Sequence, residues 1–344
     1  MQFMKKEKEG ARQIKPRTDH LPDWGMISIF SPFTIDNHIF FHYNWFMYVK
    51  QFPYSAKEHK DFENLNSAVV PKGVIVAVGG NEDKEHDLLV LRKIVALIKN
   101  RSTLIEVITT ASEIPGETGK MYQRAFDKIG NTTVQFMHIH AREQAEDEQY
   151  IQRLKKSHII FFTGGDQLRI TSTLGGTIFL KTIINKYYTE DCIVAGTSAG
   201  ATAMSQTMIY DGESSEALVK GSVKVTAGIG LIQNVVIDSH FIKRGRFGRL
   251  MEIITSNPGH VGIGLGEDTG IIIRKGCLIE AIGNGLVVVF DGKHIRHSNI
   301  SSINSGEAIA VENMHVHTLV NGYGYDLLNE KFLVPLELKK LSPS

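Results

Sequence analysis

From Gly73 to Phe162 short apolar runs alternate with longer polar stretches of helical period, and no other feature narrows the folds open to this chain as much. Residues 74–78 read as a strand that stops at Gly79-Gly80. Residues 84–99 follow as a helix, with Leu88, Leu91, Val95 and Ile98 on one face. The series continues with a strand at 104–109, a helix at 116–129 closed by Gly130, a strand at 134–139, a polar helix at 143–156 and a strand at 158–162. Strands joined by helices of this length require right-handed crossovers and a mostly parallel sheet covered on both faces. Such sheets bind ligands beyond the carboxyl ends of their strands. Three glycine-bearing loops fall there: Gly79-Gly80, Gly164-Gly165 and residues 196–200.

The third loop carries the strongest chemical signal. In residues 191–204, DCIVAGTSAGATAM, an apolar run ends at Gly196 and a helix is expected from Ala199. Ser198 stands between them in a G-x-S-x-G pattern, the strand–turn–helix arrangement that pushes a serine hydroxyl out of the backbone path. The flanking glycines leave room for the strain. The N–H of Ala199, at the helix start, aims at a developing oxyanion. With 32 glycines in the chain the pentapeptide also arises by chance, so a plain turn with a solvated serine stays open on this pattern alone.

A serine nucleophile needs a base in hydrogen-bond reach and a group to orient that base. Among 14 histidines, His240 follows an apolar strand at 234–238 and precedes a helix at 244–256, which puts it at the same rim. Glu267 follows the apolar run 261–265, with Asp268 as the fallback orienter. The order serine, histidine, glutamate is not that of α/β-hydrolases, which rules against a lipase or esterase of that type. Residues 211–221 are polar and expected to form a loop over the site. From Gly270 onward short strands and the turn signals Asn284-Gly285, Asp291-Gly292 and Asn321-Gly322 predict an antiparallel extension packed on the main sheet.

Composition enters mainly by exclusion. Lysine plus arginine number 38 and aspartate plus glutamate 37, so bulk charge points neither to nucleic acid nor to an anionic membrane. There is no run of about 18 apolar residues, hence no spanning helix is expected. Cys192 and Cys277 lie singly in apolar runs, which fits reduced core thiols and a cytoplasmic location and supplies no zinc spacing. His138 and His140, and His315 and His317, share strand faces without a carboxylate or cysteine partner, so no metal is expected. Gly79-Gly80 lacks the spacing of a nucleotide-binding loop, and no cofactor is expected. Residues 71–344 read as the α/β domain. Residues 1–70 read as an extension, expected to be poorly ordered up to about Ser67. Its first 17 residues are basic and polar without signal-peptide form. Its aromatic-rich stretch at 27–49 reads either as a packed arm or as sequence upstream of a later start at Met26 or Met47.

Five motifs occur in a telling order: Gly79-Gly80-Asn81-Glu82-Asp83-Lys84; Phe162-Thr163-Gly164-Gly165-Asp166-Gln167; Gly196-Thr197-Ser198-Ala199-Gly200-Ala201; Asp238-Ser239-His240-Phe241 with Arg244, Arg246 and Arg249; and Gly266-Glu267-Asp268-Thr269. Together they resemble the cyanophycinases of serine peptidase family S51, relatives of aspartyl dipeptidase, over about residues 71–292. The resemblance implies a three-layer α/β/α sandwich of class I glutamine amidotransferase-like, flavodoxin-like type. Family members are often homodimers, although nothing in this chain fixes the oligomer. It also implies Ser198 as nucleophile, His240 as general base and then acid, and Glu267 as the orienting carboxylate. Oxyanion donors would come from Gly165 and Asp166 together with Ala199, and the substrate pocket from Gln167, Asp238, Arg244, Arg246 and Arg249.

The activity so implied is exopeptidase hydrolysis of cyanophycin, a polyaspartate with arginine, sometimes lysine, on each β-carboxyl. The products are β-Asp-Arg dipeptides, released through an acyl-enzyme. An aspartyl or isoaspartyl dipeptidase of the same family is an alternative, and so is a binding protein that kept the fold without the chemistry. Three arginines suit the free α-carboxylates of such a substrate, although a solvated helix face gives the same pattern. Asp238 and Glu82 are candidates for meeting the substrate guanidinium. Many members have glutamine where this chain has Ser239, and the shorter side chain leaves room or a water in the pocket. The choice between arginine and lysine side chains therefore stays open.

Overall fold

The computed structural model describes residues 70–99, 102–212 and 218–341. The chain divides into two units, Met1–Ala68 and Val69–Ser344, and the described residues all lie in the second. The expectations for the N-terminal extension fall outside them. The first apolar run becomes β1 (Val74–Val78), with Ile75 and Ala77 facing one side of the sheet and Val76 and Val78 the other. Both faces are covered, which is why the run is continuously apolar. Next come α1 (Leu89–Ala96), β2 (Thr103–Ile108), α2 (Pro115–Ile129), β3 (Thr132–Met137), α3 (Glu148–Lys156) and β4 (Ile159–Phe162). Then follow α4 (Gln167–Leu174), α5 (Ile178–Thr189), β5 (Ile193–Thr197) and α6 (Ala199–Thr202).

The alternation predicts this series, with three local differences. The helix expected over 84–99 starts only at Leu89. The Asp83 carboxylate accepts the N–H groups of Glu85, His86 and Leu88, which winds those residues into a capped turn, and Leu88 sits at φ 55°. The polar helix expected over 143–156 is split at Asp147, whose extended backbone ends a 3-10 turn and whose carboxylate caps α3 through the Gln149 N–H. The helices α4 and α5 are additional. They are capped by Asp166 and Thr177 and separated by Gly175-Gly176.

The second half supplies β6 (Thr207–Gly212), β7 (Val223–Ala227), β8 (Val235–Asp238), α7 (Phe247–Ser256), β9 (Val261–Leu265), β10 (Thr269–Arg274), β11 (Leu278–Gly283) and β12 (Val287–Asp291). It closes with β13 (His297–Ser298), β14 (Val311–Glu312), β15 (His315–Leu319), β16 (Gly324–Asp326), β17 (Lys331–Leu333) and α8 (Pro335–Leu341). The main sheet has the order β17-β16-β11-β10-β1-β5-β4-β2-β3. The five strands from β1 to β3 run parallel, and β10, β11, β16 and β17 continue it antiparallel from the β1 edge. Helices α1 and α2 cover one face. The other face is covered by α3 to α6 and by a second sheet, β15-β12-β9-β8. Helix α7 packs on the outer side of that second sheet through Leu250 and Ile254. Each fully buried Val, Ile or Phe in these layers contributes about 1.5–3 kcal/mol relative to exposure. Among the described residues no helix is long and apolar enough to cross a membrane.

The antiparallel extension is present and divides: β10, β11, β16 and β17 join the main sheet edge-on, while β12 and β15 enter the second sheet, which packs on the main sheet's face. The three turn signals behave differently from hairpin turns. Asn284-Gly285 and Asn321-Gly322 lie where the chain leaves one sheet for the other, between β11 and β12 and between β15 and β16. Asp291-Gly292 simply ends β12. The tight hairpin within the main sheet turns at Lys275-Gly276, both at positive φ. The polar stretch at 211–221 begins inside β6, which pairs with β7 as a separate hairpin.

Candidate active site

The site is built where the two sheets meet. Because β1, β5 and β4 are neighbours, the loops after Val78, Thr197 and Phe162 lie side by side. The serine turn between β5 and α6 closes tightly, with Ser198 at φ 51° and ψ −112°. A Cβ at Gly200 would stand 2.5 Å from the Phe162 carbonyl oxygen, and one at Gly196 2.7 Å from the Gly200 carbonyl carbon. Only glycine lets the turn approach β4 this closely. The Ser198 N–H donates to Val78 O at 2.9 Å, which fixes the strained residue against β1.

His240 and Glu267 come from the second sheet, at the ends of the parallel neighbours β8 and β9. Ser198 Oγ lies 3.0 Å from His240 Nε2, and His240 Nδ1 lies 2.8 Å from Glu267 Oε1. A carboxylate accepts only, so Nδ1 carries the imidazole proton and Nε2 is left to accept from the serine hydroxyl. The hydrogen bond to His240 holds the Glu267 carboxyl below its usual range, against some desolvation. Its second oxygen accepts from Asn81 Nδ2 at 3.2 Å and Lys243 Nζ at 3.4 Å, which add to that effect. The glutamate is therefore a carboxylate at neutral pH, and its orientation is set from three sides.

The loop after β1 ties the three groups together. Val78 O accepts from Ser198 N–H, Gly79 O from His240 N–H at 2.8 Å, and Gly80 O from Asp268 N–H at 3.0 Å. Gly80 has φ +95°, and a Cβ there would lie 2.5 Å from the imidazole Cε1 and Nε2. The ring of His240 rests on this glycine. Neither Asn81 nor Lys243 was singled out by the sequence. Asn81 stands inside a quoted motif, but its partner is 186 residues away.

Beside Ser198 opens a polar cavity of about 220 Å³. It is lined by Gly165, Ala199, Gln167, Asp238 and all three predicted arginines. Among the described residues the N–H groups of Gly165 and Ala199 have no backbone acceptor. Asp166 is different. Its N–H donates to Ala111 O at 2.9 Å and its carboxylate caps α4, so it has no free donor for an oxyanion, and the expectation for it is corrected. Gln167 Nε2 donates to Ile209 O and Tyr210 O, bolting the β6 wall to α4.

Asp238 is buried between two guanidiniums. Arg246 donates to Oδ1 at 3.0 Å and Arg249 Nη2 to the same oxygen at 3.4 Å, while Arg249 Nε lies 3.2 Å from Oδ2, an ion pair without the alignment of a hydrogen bond. Burial pushes the Asp238 carboxyl up, and Arg249 and Arg246 pull it back. Arg246 also donates to Ser239 O, and Arg249 to Gly212 O. Arg244 and Arg246 precede α7, which starts at Phe247 and not at 244. Arg244 is exposed and has no carboxylate partner among the described residues.

Other candidates are placed elsewhere. Asp268 accepts from Asp83 N–H and Asn284 Nδ2, so it braces two loops and does not orient His240. Glu82 turns inward and is bonded within the protein, away from the cavity. His138 bonds Thr109, and His315 stacks on His294 at 4.4 Å.

Comparison with known proteins follows the same residues. The model of peptidase family S51 matches residues 74–280. A cyanophycinase from Trichormus variabilis is 33% identical over 262 residues, covering 76% of this chain and 88% of that protein. A cyanophycinase from Geminocystis herdmanii is 32% identical over 252 residues, covering 73% and 93%. The crystal structure of a peptidase from an acI-B1 Actinobacterium superposes with a TM-score of 0.56 at 21% identity, over 75% of this chain and 98% of that one, a likeness of fold.

Proposed function

The chain belongs to peptidase family S51, and on that footing we propose that it is a serine exopeptidase that hydrolyses cyanophycin to β-Asp-Arg dipeptides. The observation that carries the reading is the unbroken chain from Ser198 Oγ through His240 to Glu267, at 3.0 and 2.8 Å. The relatives named cyanophycinase support the substrate.

The chemistry is acyl transfer. His240 Nε2 takes the hydroxyl proton as Ser198 Oγ attacks the aspartyl carbonyl. The negative charge on the carbonyl oxygen falls to the N–H groups of Gly165 and Ala199, donors worth about 3–4 kcal/mol each in such sites. His240 then protonates the leaving amine, and water cleaves the ester by the reverse sequence. Glu267 stabilises the imidazolium without taking its proton. Neutral imidazole is required at the first step. Arg244, Arg246 and Arg249 supply the cationic wall for α-carboxylates of the polyaspartate, a role guanidinium geometry suits. Asp238 serves this wall by holding Arg246 and Arg249 in place.

An assay on insoluble cyanophycin with mass analysis of the products tests the reading. Release of β-Asp-Arg is expected. Cleavage of aspartyl dipeptides with the polymer left intact would favour the dipeptidase of the same family instead.

A further inference from the structure

Glu82 lies outside the triad and outside the cavity, yet its carboxylate bonds Thr197, the neighbour of Ser198, from the loop whose carbonyls hold His240 and Asp268. Its side chain is fully buried, next to the strand end that leads into the serine turn. Oε2 accepts the Thr197 hydroxyl at 2.6 Å, and Oε1 accepts the Tyr122 hydroxyl at 2.5 Å and faces Lys84 Nζ at 3.0 Å. Around it the core is aromatic, with Tyr122 4.9 Å from Phe161. A carboxylate in such surroundings is costly unless every oxygen is engaged, and here both are.

Thr197 is the last residue of β5 and the neighbour of Ser198. A non-glycine residue at φ 51° persists only where its surroundings over-determine it. The Thr197 hydroxyl bond is one restraint, and the Ser198 N–H bond to Val78 O is another. Glu82 itself stands two residues beyond Gly80, in the segment whose carbonyls hold His240 and Asp268. One buried carboxylate thus joins the strand end that presents the hydroxyl to the loop on which the imidazole rests.

We propose that Glu82 is a positioning residue: by holding Thr197 it sets the register between Ser198 and His240 without touching substrate. The inference rests on Ser198 being the nucleophile. It is tested by the rate of labelling with a fluorophosphonate, with kcat and KM measured alongside, normalised to folded protein. Glu82→Gln keeps the shape but removes one acceptor, Thr197→Val removes the hydroxyl, and Thr197→Ser keeps it. Glu82→Gln and Thr197→Val should each lower the labelling rate and kcat by about tenfold or more, with KM within about twofold of wild type. Thr197→Ser should stay near wild type. The double variant Glu82→Gln/Thr197→Val should lose no more than the worse single one, because both remove the same restraint.

Folded Glu82→Gln or Thr197→Val with unchanged labelling and kcat would overturn the role. So would an equal loss in Thr197→Ser, or losses that multiply in the double variant. If Glu82→Gln does not fold, the two Thr197 variants decide. A wild-type protein that does not label overturns the nucleophile itself and Glu82 with it, whereas a reactive wild type with indifferent variants overturns Glu82 alone.

Discussion

Ser198→Ala is expected to lower turnover of aspartyl peptide by about four to six orders of magnitude while the fold survives. The loss is large because the hydroxyl is the only atom removed and, on this reading, the atom that forms the acyl bond. What remains, the N–H groups of Gly165 and Ala199 and the arginine wall, still binds and polarises substrate, so residual hydrolysis above the uncatalysed rate is expected. The fold survives because the backbone restraints do not involve Oγ. The N–H of residue 198 still donates to Val78 O, and the Thr197 hydroxyl still bonds Glu82. Among the described residues the hydroxyl's partner is His240 Nε2, at the rim of the cavity. Paired measurements of kcat and of the thermal midpoint check both halves. Activity within tenfold of wild type would exclude Ser198 as nucleophile.

The second large effect is on stability. Asp238→Ala is expected to cost about 3–5 kcal/mol, a fall in the thermal midpoint of about 10 °C. Asp238 is 1% exposed, and its oxygens face Arg246 Nη1 at 3.0 Å and Arg249 Nε at 3.2 Å. Removing the carboxylate leaves two guanidiniums close together in a wall of low dielectric. Arg249 is the more exposed to this penalty, with 6% of its side chain accessible against 14% for Arg246, which can turn toward the cavity. The same change should raise KM for aspartyl substrates, because the arginines lose the anchor that aims them. Denaturant unfolding measures the first effect, and a loss below about 1 kcal/mol would show that the pair is not the support described.

Much of this was legible in the chain because the signals are local. The apolar runs at Val74–Val78 and Ile159–Phe162 need no partner to be recognised, and Gly130 ends α2 at φ 78° as its position suggests. Ser198, His240 and Glu267 each follow such a run, and the structure brings them together. What escaped depends on partners distant in sequence. The strands β8 and β9 look like main-sheet strands because a buried parallel strand has the same composition in either sheet, and only their pairing shows that they belong to the second. Asn284-Gly285 has the residues of a hairpin but turns between sheets, since turn chemistry fixes a local bend and not the strand that follows it. The engagement of the Asp166 N–H with Ala111 O, and of Asn81 with Glu267, are contacts between loops that no period or spacing announces.

The most direct test of the central claim is to locate a covalent adduct. After treatment with a fluorophosphonate, peptide mapping by mass spectrometry should find one adduct per chain, on Ser198, and His240→Ala should abolish it. An adduct on a different serine, or an unmodified Ser198 in a protein that hydrolyses aspartyl peptides, would contradict the account.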